Sequence, residues 1–187
     1  MNLIKITFVI IISFYINLKV YAEPIHKNDY DVSEQVGIPT GVIFNPSGTK
    51  MYVTGFTGNS GRVAQYSLSV PYSTSSGVSL DANIITEIED VLQRPQDIKF
   101  NSDGSKVLIL STKSIDGDKD SIAIWSLGTP YDITTISSTG VSEKILSNDP
   151  RGFDFNTDGT KMFILLATTN KIEQFDLTTP YDPSDID

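Results

Sequence analysis

The feature that most constrains how this chain can fold is a block of 15 residues that occurs three times. Pro39-Thr40-Gly41-Val42-Ile43-Phe44-Asn45-Pro46-Ser47-Gly48-Thr49-Lys50-Met51-Tyr52-Val53 is the first copy, Pro95 to Ile109 the second and Pro150 to Ile164 the third. Phe44, Phe100 and Phe155 hold the same place, 56 and 55 residues apart. A second block trails each copy: Gln65-Tyr66-Ser67-Leu68 with Pro71-Tyr72, Ile124-Trp125-Ser126-Leu127 with Pro130-Tyr131, and Gln174-Phe175-Asp176-Leu177 with Pro180-Tyr181. A repeat of this length marks one supersecondary unit that buries its apolar surface against its neighbours.

Within a copy the pattern is that of strands. Val42 and Phe44 alternate with Gly41 and Ile43, as on a strand with one buried face. Asn45-Pro46-Ser47-Gly48 reads as a tight turn in which the glycine supplies positive φ. Met51-Tyr52-Val53 returns, Val63–Leu68 makes a third strand bounded by Pro71, and Ala82–Glu87 a fourth, outer one. No helical periodicity follows the first residues. The spacing predicts an all-β chain of blades with four antiparallel strands, three repeats of a β-propeller. Phe44, Phe100, Phe155, Leu68, Leu127 and Leu177 are the expected core. Tyr66, Trp125 and Phe175 recur in register and read as packing between blades rather than as a stacking platform for sugars.

The start of the chain differs. Lys5 precedes an uncharged apolar run, Ile6–Leu18, of 13 residues, and Val20-Tyr21-Ala22 offers a cleavage site. That order is the signature of a secretory signal peptide over residues 1–22. A membrane span needs roughly 20 apolar residues, so the membrane enters only if the leader stays uncleaved. Periplasmic or secreted localisation is expected. Removing residues 1–22 takes away Lys5 and Lys19 and no acid, so the formal charge goes from −9 to −11. Such a surface repels phosphate backbones and argues against a nucleic-acid partner. The chain has no cysteine, so its core alone must hold it.

The Phe-Asn-x-Asp-Gly-x-Lys turn, followed by an aromatic-x-Leu strand, resembles the YVTN/lactonase-like family of β-propellers over residues 39–177. The resemblance implies blade architecture. Its members include hydrolases, binding proteins and surface proteins, so it does not choose an activity. Family hydrolases hold metal in the channel through several blades, and here only Asp97 and Asp154 offer carboxylates at such places.

Propellers close with roughly 4–8 blades, so three are an incomplete ring. Residues 23–38 form a leader, in which Asp31–Val36 reads as a clasp strand belonging to the last blade, and residues 39–187 are the three-blade segment. Three arrangements answer the shortfall: a chain with further blades, a homodimer completing a six-blade ring, or an open arc.

Thr40, Gln96 and Arg151 stand at equivalent places at the start of the first strand of each copy, and Asp97 follows Gln96. Equivalent positions that differ between copies are where function departs from scaffold, so Thr40, Gln96, Asp97 and Arg151 are the candidate ligand contacts. Ordinary polarity at the channel rim is the competing explanation. Asp116, Asp118 and Asp120 space three carboxylates two apart, as a calcium loop does, but Ser121 and Leu127 fall where an EF-hand needs glycine and a bidentate acid. A solvated acidic hairpin tip is the better explanation of them, and no other cofactor is suggested. Asp103 and Asp158 recur with the turn and serve it. The only histidine, His26, lies in the leader, so no catalytic residues are assigned. The expected function is a binding or interaction module acting through its rim and channel mouth, with a protein or small ligand as partner. The alternative is a lactonase-type or other hydrolase whose catalytic residues lie on blades absent from this chain.

Overall fold

The computed structural model describes residues 25–84, 92–112, 120–137, 142–146 and 148–185. The signal peptide expected over residues 1–22 lies outside them. The described residues form three antiparallel sheets and two short 3-10 turns. The first sheet holds β1 (Ile38–Phe44), β2 (Lys50–Thr57), β3 (Ser60–Leu68) and β4 (Val78–Ile84), in chain order. The second holds β5 (Pro95–Phe100), β6 (Lys106–Ser111), β7 (Asp120–Ser126) and β8 (Ser142–Leu146), again in order. The third holds β9 (Pro150–Phe155), β10 (Lys161–Leu166) and β11 (Lys171–Asp176). The all-β class and the three repeats stand as expected. The inner strands β1, β5 and β9 lie side by side.

The turn between the first two strands of each sheet is built the same way three times. The Asn45, Asn101 and Asn156 side-chain oxygens accept the N–H of Lys50, Lys106 and Lys161 at 2.8–2.9 Å. Gly48, Gly104 and Gly159 take φ of 69–73°, a region that a side chain enters only with strain. The Pro-Tyr block completes the unit. Tyr72, Tyr131 and Tyr181 themselves adopt φ of 56–57° and lay their rings over the turn glycines. Each donates its N–H to the glycine carbonyl at 2.9 Å and its hydroxyl to the carbonyl of Pro46, Ser102 or Thr157. Phe44, Phe100 and Phe155 pack against these tyrosines at 5.1–5.5 Å between ring centroids. This corrects one expectation: the three phenylalanines are half-buried, because each lies under a tyrosine at the sheet end, at the margin of the apolar clusters. Leu68, Leu127 and Leu177 are buried as expected.

Alternation along the strands gives every sheet two apolar faces. The upstream faces carry Met51, Val53, Ala64 and Tyr66 in the first sheet, Val107, Ile109, Ala123 and Trp125 in the second, and Met162, Ile164 and Phe175 in the third. The downstream faces carry Tyr52, Thr54, Val63 and Gln65, then Leu108, Leu110, Ile122 and Ile124, then Phe163, Leu165, Ile172 and Gln174. The core between the first and second sheets joins Tyr52 and Val63 to Ile98, Val107, Ile109, Ala123 and Trp125. The core between the second and third joins Leu108, Leu110, Ile122 and Ile124 to Phe153, Met162, Ile164 and Leu166. The recurring aromatics Tyr66 and Trp125 are fully buried and Phe175 half-buried on these faces, so they are packing residues.

Two further expectations change. The outer strand of the first sheet begins at Val78 rather than Ala82, because Gly77 at φ 64° turns the chain back early and its carbonyl accepts the Ser69 N–H at 3.0 Å. Its expected end, Glu87, lies outside the described residues. Asp31–Val36 is not a clasp strand: the Val36 N–H bonds the Val32 carbonyl at 2.9 Å, closing a turn. Val36 is then fully buried and Val32 half-buried against Met51, Val53 and Tyr66 of the same chain. The turn sets Val32 and Val36 on adjoining parts of that face.

Candidate functional site

Thr40, Gln96 and Arg151 all lie at the end of the sheets where β1, β5 and β9 begin. Proline opens β5 and β9, where its missing N–H costs no ladder bond. The β2–β3 connection is at this end too, because Ile38 pairs with Phe56 and Thr57 with Ser60.

Part of the expected site ties the sheets together. Thr40 Oγ1 donates to the Pro95 carbonyl of the next sheet at 2.8 Å and to the Thr54 carbonyl at 3.3 Å. Asp97 Oδ2 accepts the Phe153 N–H of the third sheet at 3.2 Å, while Oδ1 accepts the N–H of Ile98 at 2.8 Å. Lys99 lies 3.4 Å from the same carboxylate. A side chain on Gly41 would bring its Cβ within 2.9 Å of Thr54 Cγ2, so glycine leaves room for that threonine beside β1. The Asp154 carboxylate accepts the Phe155 N–H at 3.0 Å. Thr40 and Asp97 thus act as inter-sheet struts, a role that reading one copy at a time does not reveal.

Gln96 and Arg151 are brought together at the seam between the second and third sheets. Gln96 Nε2 donates to the Arg94 carbonyl and to Thr112 Oγ1, each at 3.2 Å. Its Oε1 accepts from Arg151 Nη1 at 3.4 Å. Arg151 Nη2 donates to Asp149 Oδ2 at 2.7 Å. The Arg151 side chain stays 49% exposed. Sequence reasoning missed Arg94 and Asp149. Their signal was the residue before the repeat's proline, which is Ile38, Arg94 and Asp149 in the three copies. Asn148 and Asp149 both adopt positive φ, 71° and 56°, a costly conformation for residues with a Cβ. Their carbonyls are fixed by the Thr168 and Ala167 N–H groups.

Arg94 places its guanidinium 5.9 Å from the centroid of Phe56. Arg62, opposite Gly55 at the far end of β2, belongs to the same end, and its Nε is buried with no acceptor among the described residues. All three arginines of the chain therefore sit at one end of the sheets, in a molecule of formal charge −9.

Of the acidic loop, Asp116 and Asp118 lie outside the described residues. Asp120 opens β7 and accepts the Asp149 N–H at 3.0 Å. Among the described residues no group of three potential ligands is placed to hold a metal ion. Burial pushes the Asp120 carboxyl above its ordinary value, and the neighbouring Asp149 charge adds to this, against the Asp149 N–H and Arg151. A carboxyl that holds its proton more tightly folded than unfolded loses stability as pH rises through its folded pKa. Asp120→Asn, which keeps the acceptor, is expected to raise Tm at neutral pH. At about pH 3, where the carboxyl is protonated in both states, it should change nothing. Thermal melts at the two pH values check this, and an equal shift at both would assign the effect to something other than ionisation.

His26 is exposed and pairs with Asp29 at 3.1 Å. A second feature lies beside Thr40. A pocket of about 380 Å³ opens between the leader and the first sheet, lined by Tyr30, Val32, Thr40, Val42, Met51 and Val53. No protein-family model matches the chain, and no curated protein matches it.

Proposed function

We propose that the three sheets are blades of a β-propeller of the YVTN/lactonase-like kind and that the chain is an exported binding module, working at the channel mouth. The side-by-side inner strands and the stacking of each sheet on the next support the propeller reading. The apolar leader at residues 6–18 supports export.

The ligand is a small molecule or peptide end bearing an acidic group. The observation that carries this reading is the meeting of Arg94 and Arg151 at one end of an otherwise acidic protein, with Gln96 bonded to both. Cations held there by cation–π contact and by hydrogen bonds are preorganised for a carboxylate. Gln96 presents Arg151, and Asp149 steers its second nitrogen. A carboxylate ligand would take over part of the charge that Asp149 now satisfies.

The test is an NMR titration of amide signals with glucuronate, set against glucose, which has the same frame without the charge. Glucuronate is expected to shift the signals around Arg94, Gln96 and Arg151, and glucose to leave them in place. Arg151→Ala should weaken glucuronate binding at least about tenfold, the loss of one charge-assisted pair. Identical responses to the two sugars, or shifts confined to another part of the molecule, would overturn the assignment.

A further inference from the structure

The two interior joints between sheets follow one rule. A downstream face meets the upstream face of the next sheet, apolar on apolar, and the first joint adds a polar seal at its rim where the second has Ile124. At the first joint that seal is Gln65: its Oε1 accepts the Ile133 N–H at 2.9 Å, and its Nε2 donates to Asp81 and Asp132. The Tyr52 hydroxyl donates to the Tyr131 carbonyl beside it.

Two faces of the same kind lie outside these joints. The downstream face of the third sheet carries Phe163, Leu165, Ile172 and Gln174. Leu165 is 48% exposed and Ile172 70%, although their counterparts Leu110 and Ile122 are fully buried. Gln174 stands where Gln65 stands in the first sheet. The upstream face of the first sheet is covered by the leader instead of by a sheet. Val32 and Val36 supply the apolar contact, and Tyr30 meets Tyr66 edge-on at 5.6 Å. Asn28 supplies the seal: it donates to Thr74 Oγ1 at 2.8 Å and accepts from Ser75 Oγ at 2.8 Å. Counting from the repeated tyrosines, Thr74 holds the place of Ile133, the residue that Gln65 engages. The leader therefore imitates a downstream face, and imperfectly. It leaves Val42 63% exposed and the pocket of about 380 Å³ beneath Tyr30.

We propose that the leader is a detachable cap and that the face it covers takes the exposed third-sheet face of a second copy of this chain, head to tail. Both halves of the joint are on one chain, position for position those of the two joints already buried inside it. Such an interface is heterologous, and the cap limits it by occupying one half. Phe163, Leu165 and Ile172 of one copy would replace Val32 and Val36 of the other, with Gln174 taking the place of Asn28.

Complementation tests this. The full chain has a capped head and an open tail. A chain lacking residues 25–36 and carrying Leu165→Asp has an open head and a blocked tail. In sedimentation velocity the two are expected to form a one-to-one complex, at least tenfold tighter than the self-association of either. Adding Ile172→Asp to the full chain should abolish it. Because the deletion removes Val36 from the core, a second variant guards against misfolding: Asn28→Ala with Tyr30→Ala in the full chain loosens the cap at its rim. That variant is expected to self-associate several-fold more tightly than the full chain, and Leu165→Asp should reverse the gain. Self-association of the full chain as tight as the mixture would mean a tail-to-tail contact and overturn the proposal. So would association of the loosened variant that is unchanged from the full chain or indifferent to Leu165→Asp and Ile172→Asp.

Discussion

Trp125→Ala is expected to destabilise the chain by about 3–5 kcal/mol, the range for removing a fully buried large aromatic side chain. Trp125 is fully buried on the upstream face of the second sheet, in the cluster that holds Tyr52 and Val63 of the first sheet. Alanine leaves a cavity at the joint, and strands paired on both sides of β7 cannot collapse into it. In a domain of this size the loss should lower Tm by roughly 6–20 °C. The indole also carries a liability, because its Nε1–H is buried with no acceptor among the described residues. Trp125→Phe removes that donor while keeping a ring, so its cost should stay within about 1.5 kcal/mol. Urea unfolding followed by circular dichroism measures both, since the chain has a single tryptophan and its fluorescence goes with the substitution. A small loss for Trp125→Ala would show that the joint between the first two sheets is not the principal core.

Gly104→Ala is expected to cost roughly 2–4 kcal/mol, combining backbone strain with a displaced aromatic contact. Gly104 sits at φ 73°, and an added Cβ would lie 2.2 Å from the Tyr131 ring. The methyl group therefore meets two obstacles, one in its own backbone and one across the turn. A double-mutant cycle separates them. With Tyr131→Ala already present, only the backbone strain remains, and the substitution should cost at least about 1 kcal/mol less. Additive losses would show that the ring does not rest on the turn. The same cycle at Gly48 with Tyr72 should give a smaller coupling, because Tyr72 is 60% exposed.

These two positions mark where sequence reading succeeds and where it stops. The turn around Gly104 was legible because Asn-x-Asp-Gly is a local code: its hydrogen bonds span five residues or fewer, from the Asn101 side chain to the Lys106 N–H. The Pro-Tyr block was visible as a repeat, but its task was not. Tyr131 reaches the Ser102 carbonyl across 29 positions, and no periodicity signals that distance.

The candidate site divides in the same way. Variation between copies singled out Thr40, Gln96, Asp97 and Arg151, and all four do stand at one end of the sheets. That Thr40 and Asp97 serve as struts while Gln96 and Arg151 form a polar seam depended on which backbone came alongside. Asp97 meets the Phe153 N–H 56 residues away, and Arg151 meets Gln96 across 55.

The sequence by itself determined the all-β class, the three units, their turns and the alternation that gives each sheet two apolar faces, because those properties arise within a few residues of chain. Only the tertiary structure decided which face meets which, and that the leader folds back over the first sheet instead of serving the last one as a strand. The physical reason is that alternation assigns side chains to faces without naming what covers them. That choice depends on the packing of whole sheets, and a short segment such as Val32–Val36 takes whatever conformation best buries its two valines on the face it can reach.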